Sequence, residues 1–161
     1  TEDQLRVIVE AVDLDKPVPQ PIKGQMNAGD VFVSMPMNKW KCADVDIIRA
    51  GIECAIVKSG NTPYFLDLDA HNGNIFNRML AEIVGCKFLI ADFTTQNPGV
   101  YYEAGYAKAL GKTVIHTCKQ SDFVNVHFDI KQTQFVIWET QDDLALKLSQ
   151  QIKKSNLEGV N

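Results

Sequence analysis

The chain has no apolar run approaching the roughly 20 residues that cross a bilayer as a helix, no C-x-x-C pair and no concentrated basic segment. The first absence leaves no membrane span to expect. The second disfavours zinc ribbons and thioredoxin-type chemistry. Cys42, Cys54, Cys86 and Cys118 stand apart and are expected as free thiols in a reducing cytosol. The histidines, His71, His116 and His127, are equally scattered, so neither a metal site nor a cofactor is expected. The third absence argues against duplex nucleic acid as a partner. The net charge is -4 and the densest basic pair is Lys153-Lys154, whereas a phosphate backbone calls for a positive face. The opening TEDQLRVIVEAVDLDKP is acidic and polar, unlike a secretory leader, and a cytoplasmic protein is the expectation. Because the chain starts at Thr1, it is read as either processed or a piece of a longer protein.

What is present is ordinary globular material. Of 161 residues, 45% are apolar and 22% charged, enough to fold and to bury a core in one domain. Residues 1–29 read as a lead-in arm, because KPVPQPIKG carries three prolines and a glycine that block regular structure. Residues 30–161 read as the domain. Short apolar runs at 30–35, 63–69, 87–93, 112–118 and 134–139 predict strands. Helical spacing joins Val45, Ile48, Ile52, Ala55 and Ile56, then Ile75, Met79, Leu80, Ile83 and Val84, and finally Leu144, Leu148 and Ile152 behind a Thr140 cap. A further helix is predicted from Pro98 to Leu110, with Asn97 as its cap, Pro98 in the first turn and Gly111 as its stop. Strands alternating with helices imply a parallel sheet covered on both faces. The expected architecture is a flavodoxin-like three-layer sandwich whose five strands run in the order 2-1-3-4-5.

In such sheets ligands sit beyond the carboxyl ends of the strands. Two carboxylates therefore stand out: Asp92, which ends the third strand, and Glu103, one turn beyond Gly99 on the following helix. Glu103 is a lone acid in a largely apolar helix, and the positive helix N-terminus favours its ionised form. Gly105 beside it is expected either to bring backbone close to the sheet or to leave room for a ligand, since glycine inside a helix costs about 1 kcal/mol relative to alanine. His71 is a weaker acid–base candidate in the loop after the second strand. His116 reads as a core or rim residue and His127 as structural. Cys118 ends the fourth strand without a partner that would make it a catalytic thiol. Tyr101, Tyr102 and Tyr106 are candidates for lining a pocket or a subunit contact.

The segment ADFTTQNPGVYYEAGYAKALGKTVI resembles the signature of the nucleoside 2-deoxyribosyltransferase-like superfamily, which is fold-related to TIR domains. The pattern is an Asp-ended strand, a polar loop with Asn-Pro, and E-x-G-x-A-x-A-x-G-K before the next strand. VFVSMPM resembles that family's first strand and proline turn, and HFDIKQTQFVIW its approach to the last strand. Together the matches span about residues 30 to 140. The resemblance implies an enzyme acting on the N-glycosidic bond of a nucleoside or nucleotide, by transfer or hydrolysis, with Glu103 as nucleophile. Asp92 is the first candidate for the acid that protonates the leaving base, with Asp67 and Asp69 as alternatives. Met35, Pro36, Met37, Asp67, Asp69, Thr94, Asn97, Gly99 and Tyr102 are the candidate substrate-binding residues. Met37 or Trp40 is the candidate to stack on the base. Members that take nucleoside monophosphates carry a glycine- and arginine-rich first loop. Here that loop is Met35-Pro36-Met37-Asn38-Lys39-Trp40, with Lys39 as its one cation. The resemblance also implies a homo-oligomer. The alternatives are a TIR-like signalling or defence module that hydrolyses NAD and a non-catalytic nucleotide sensor.

Overall fold

Val31–Ser34 are all buried, as a strand covered on both faces must be, and form β1, an interior strand of the sheet. The computed structural model describes residues 30–66 and 75–159. The proposed lead-in 1–29, together with Asp67, Asp69 and His71, lies outside the described residues. After β1 come α1 (Val45–Lys58), β2 (Pro63–Phe65), α2 (Ile75–Gly85), β3 (Phe88–Asp92), α3 (Pro98–Ala109), β4 (Val114–Lys119), the short α4 (Phe128–Lys131), β5 (Phe135–Trp138) and α5 (Gln141–Lys154).

The five strands form one parallel sheet in the order β2-β1-β3-β4-β5, with helices on both faces: a flavodoxin-like three-layer α/β sandwich. Register pairs Val31 with Pro63 on one side and with Phe88 on the other. Pro63 opens the edge strand β2, a place where a missing N–H is tolerated.

Alternation along the strands divides the core in two. Val31, Val33, Phe88, Ile90, Ile115, Val136 and Trp138 face α1 and α5, meeting Ile48, Ile52, Ile56, Leu144, Leu148 and Ile152. Phe32, Leu89, Ala91, Phe93 and Cys118 face α2 and α3, meeting Met79, Leu80, Ile83, Val100, Ala104 and Ala107. On the first face α1 and α5 pack directly against each other. A Cβ on Gly51 would lie 2.8 Å from Leu144 Cδ2 and 3.1 Å from the Gln141 carbonyl, so the glycine permits this approach.

The helix ends follow local chemistry. Asn97 Oδ1 accepts from the Gly99 N–H at 2.8 Å, and Pro98 takes the first helical position. Gly111 terminates the same helix with φ 75. Thr140 caps α5, whose first turn holds Asp142 and Asp143 and whose last turn holds Lys153 and Lys154, each sign matching the helix dipole. The stretch after β4 differs from the expected plain loop. Gln120–Asn125 coils into a 3₁₀ segment, and His127 Nδ1 accepts from the Asp129 N–H at 3.3 Å to start α4. His127 is thus structural, as its lone position in the sequence suggested.

Candidate functional site

In this strand order the chain leaves β1 for β2 on one side, while β3 lies on the other. The loops after β1 and β3 part there and open a crevice. A cavity of about 170 Å³ occupies it, lined by Phe32, Val33, Met35, Met37, Leu66, Asn97, Gly99, Val100 and Glu103. Each element contributes through its end: β1 and its proline turn, the residue after β2, and the first two turns of α3.

Glu103 is the charged side chain of this lining. Val100, Ala104 and Ala107 hold α3 on the sheet, and Glu103, one turn after Val100, is carried toward the same side. Its Oε2 accepts a hydrogen bond from Ser34 Oγ at the end of β1. Burial pushes the Glu103 carboxyl above its ordinary range, and the Ser34 hydroxyl pulls the other way. This corrects the expectation that the helix N-terminus governs its ionisation. The dipole's influence fades beyond the first turn, where Glu103 lies, so desolvation dominates. The sequence reading missed Ser34 as the partner, although it is the one polar residue in the run VFVSM.

Met35, Met37, Asn97 and Gly99, all named from the sequence, are brought together with Glu103. Other candidates are not. Thr94 is buried and turned to structural work: its Oγ1 accepts from the Lys119 N–H at 3.0 Å. Pro36 is buried next to the lining without belonging to it. Tyr102 is half exposed and leans on Phe76, with ring centroids 6.0 Å apart. Trp40 is 98% exposed and outside the lining, so of the two candidates to stack on a base only Met37 reaches the cavity. Tyr101 packs edge-on against Phe93, and its hydroxyl donates to Gln96 Oε1 and accepts from the His127 N–H. Tyr106 is also absent from the lining. Gly105 is exposed, and a Cβ there would meet nothing within 4 Å among the described residues, so close packing against them does not explain it.

Asp92 requires the largest correction. Along β3, Phe88, Ile90 and Asp92 point to one face, the one covered by α1 and α5, whereas Glu103 arrives on α3 from the other. Asp92 has no exposure and does not line the cavity. Its Oδ1 accepts from the Thr94 N–H at 3.0 Å, and its Oδ2 accepts from Thr117 Oγ1 at 2.6 Å and from the Trp138 indole N–H at 3.0 Å. Burial raises its pKa against the pull of these three donors. A carboxylate saturated in this way ties β3, β4 and β5 together at the sheet's carboxyl edge and does not face the cavity that Glu103 lines.

The β3–α3 loop is held in an unusual shape. Thr95 and Gln96 have φ of 64 and 54, the left-handed region that a β-branched residue rarely enters. Asp122 compensates: its Oδ2 accepts from the Thr95 N–H and from Gln96 Nε2, while its Oδ1 accepts from Asn125 Nδ2 at 2.9 Å. The clamp fixes where Asn97 starts α3 and so sets the height of Glu103. Nothing local in the sequence marked Asp122 for this task.

Two of the nearby cations are already engaged. Lys39 pairs with Asp46 and Lys119 with Asp44, each at 2.8 Å. Three of the thiols are poor nucleophiles, because burial raises Cys42, Cys86 and Cys118, the last to about 12. His116 is buried between Phe93 and Phe135, and that burial, with Lys108 nearby, lowers its pKa to about 4, so it is neutral near pH 7. Among the described residues no group of three or more His, Cys, Asp or Glu could hold a metal ion, and no helix is long and apolar enough to cross a membrane.

Fold and cavity together define an α/β domain with a carboxylate poised at the switch point of its sheet. No protein-family model matches the chain, and no curated protein matches it significantly.

Proposed function

We propose that the domain cleaves or transfers the N-glycosidic bond of a nucleoside-type substrate, with Glu103 as nucleophile. The observation that carries this reading is the position of the Glu103 carboxylate: inside the switch-point cavity, hydrogen-bonded to Ser34 and flanked by apolar side chains. The motif around Glu103, which resembles the nucleoside 2-deoxyribosyltransferase-like superfamily, supports the same bond class. A cavity of about 170 Å³ accepts one ring-sized group, comparable to those known to admit benzene. For C1′ to reach Glu103 that group is the pentose, and the base then extends past Met37 toward the mouth.

In the reaction, a Glu103 oxygen attacks C1′. The C1′–N bond breaks, its electron pair leaves with the base, and the base takes up a proton. Water or the nitrogen of a second base then attacks C1′, opens the glycosyl ester and restores the carboxylate. Asp92 is not assigned the proton transfer, since it is committed on the other face of the sheet. The Ser34 hydroxyl holds one carboxylate oxygen and leaves the other free to attack.

Burial of Glu103 favours a second reading, a binding domain without turnover, because a protonated Glu103 donates a hydrogen bond and does not attack. One experiment separates them. Purified protein is incubated with nucleosides, nucleoside monophosphates and NAD, beside Glu103→Ala, and free base is quantified by chromatography. Release by the wild type and its loss in the variant is the expected result. Absence of product from every substrate, or equal release by the variant, overturns the enzymatic reading. Release from NAD alone transfers the proposal to a TIR-like activity.

A further inference from the structure

We infer that the domain carries a second binding site, at the amino-end rim of the sheet between β4 and β5, for a ring-sized monocarboxylate. The site lies at the opposite end of the strands from Glu103 and does not rest on the proposed activity. Strand register creates it. β4 begins at Val114, but its first residue paired with β5 is His116, which meets Phe135. Val114 and Ile115 therefore precede the pairing, and a cavity of about 220 Å³ fills the step. Val114, Ile115 and Val136 form its apolar wall, and Lys108, from the last turn of α3, lines it together with His116. In proportion to a cavity of about 150 Å³ that holds benzene, such a space takes roughly nine non-hydrogen atoms.

His116 shows what the cavity lacks. Its side chain is 7% exposed, stacks on Phe93 and makes no hydrogen bond. Neither ring nitrogen is sealed from solvent, since Tyr106 Oη is the one buried side-chain N or O atom without a partner among the described residues. The little exposure that His116 keeps therefore includes the polar edge of its ring. Lys108 lines the cavity and is also the charge that acts on this imidazole, so ammonium and ring share one space. Burial holds His116 neutral near pH 7, with one N–H and one lone pair to offer. A buried polar group without a partner costs free energy, which a ligand supplying that partner recovers. Charge selects the ligand's sign. Among the described residues no acid lines the cavity, and Lys108 makes no hydrogen bond or ion pair. The last turns of α3 and α5 each bring about half a negative charge. Against them stand Lys108 and, in the last turn of α5, Lys153 and Lys154. The balance stays positive and suits a single carboxylate. The amides of the remaining wall engage one another: Gln134 Nε2 donates to Gln151 Oε1 at 3.1 Å, and Gln151 Nε2 to Ser155 Oγ at 3.2 Å. Lys108 and His116 are left to choose the ligand.

The test titrates the full chain with three matched probes: nicotinate, which has a carboxylate and a ring nitrogen; nicotinamide, which lacks the charge; and benzoate, which lacks the ring nitrogen. Affinity is measured by calorimetry at low ionic strength. Long-range proton–nitrogen spectra of the imidazole rings report on His116, whose signal is assigned by its loss in His116→Phe. Nicotinate is expected to bind about three-fold more tightly than nicotinamide, the scale of an exposed ion pair, and about five-fold more tightly than benzoate, the scale of one hydrogen bond. It is also expected to shift the His116 ring nitrogens. Lys108→Met should level nicotinate with nicotinamide, and His116→Phe should level nicotinate with benzoate. Gln151→Trp, at a half-buried position of the wall, should block all three probes and serves where His116→Phe does not fold. Equal or tighter binding of nicotinamide, His116 nitrogens unmoved by nicotinate, or binding that survives Gln151→Trp overturns the inference. Glu103→Ala keeps the two proposals apart. Nicotinate binding unchanged in that variant supports the rim site whatever the outcome for base release, and binding lost there places nicotinate in the switch-point cavity and overturns it.

Discussion

The two faces of the sheet each hold a carboxylate, fully buried in Asp92 and half-buried in Glu103, and they put it to opposite uses. On the α1–α5 face, Asp92 accepts three hydrogen bonds and is closed off from solvent. On the α2–α3 face, Glu103 accepts one, from Ser34, and borders a cavity. Burial raises the pKa of both, so the shift by itself does not tell a structural acid from a reactive one. The supply of donors does. A carboxylate whose oxygens are saturated stabilises its surroundings, while one with lone pairs facing open space is available for chemistry.

The sharpest break of this comparison is functional. Glu103→Gln is expected to lower base release by at least about 10³-fold, a magnitude typical of losing a nucleophile, with the fold retained by circular dichroism. Asp92→Asn is expected to do the converse. It turns an amide NH₂ toward N–H and O–H donors and should cost about 2–4 kcal/mol in denaturant unfolding, while the folded fraction keeps its turnover. Activity lost in Asp92→Asn without loss of stability would overturn the contrast.

Burial also sets the pH dependence, with opposite signs for Glu103 and His116. A carboxyl whose pKa is raised on folding binds its proton more tightly in the native state, so stability falls as pH rises from the unfolded pKa through the folded one. Glu103→Gln removes that penalty. Its melting temperature should exceed that of the wild type at pH 8 and converge with it near pH 4. His116 on the same face has the opposite sign. Its pKa falls from 6.5 to about 4 on folding, so stability is lost as pH drops through that window, by about 3 kcal/mol at its lower end. His116→Phe should flatten this acid loss in unfolding curves measured between those limits.

Smaller effects sharpen the packing side. Gly51→Ala should cost about 1–3 kcal/mol, because its methyl meets Leu144 Cδ2 at 2.8 Å and the neighbouring carbonyl cannot give way. Leu144→Ala in the Gly51→Ala background should restore part of the lost fit in a double-mutant cycle. The smallest change expected is Ser34→Ala. Losing a donor that favours the ionised carboxyl moves the acid limb of the activity profile to higher pH. An acid limb that does not move separates Ser34 from the ionisation of Glu103.

The fold was largely legible from the chain. Short apolar runs marked the strands, period-3.6 runs marked α1, α2 and α5, and Asn97-Pro98 with Gly111 bounded α3. Such signals arise among neighbours within a few residues, where propensity and capping act. The site was legible only in part. Met35, Met37, Asn97, Gly99 and Glu103 converge because the positions of strand ends and helix starts follow from topology. Asp92 was misjudged because β3 is apolar on both sides. Alternation inside a doubly covered strand shows that two faces exist without showing which helix lies on which. Asp122 was missed because its partners lie in a loop whose left-handed turn has no glycine to announce it.

The sequence by itself determined the element order, the parallel sheet and the carboxylate on α3, since all three rest on local patterning. Only the tertiary structure decided that Ser34 holds that carboxylate, that Asp92 belongs to the opposite core, and that Lys39 and Lys119 are already paired. Each of these depends on contacts between residues far apart in the chain, where sheet pleat, burial and competition for charge partners choose among side chains that look alike in sequence.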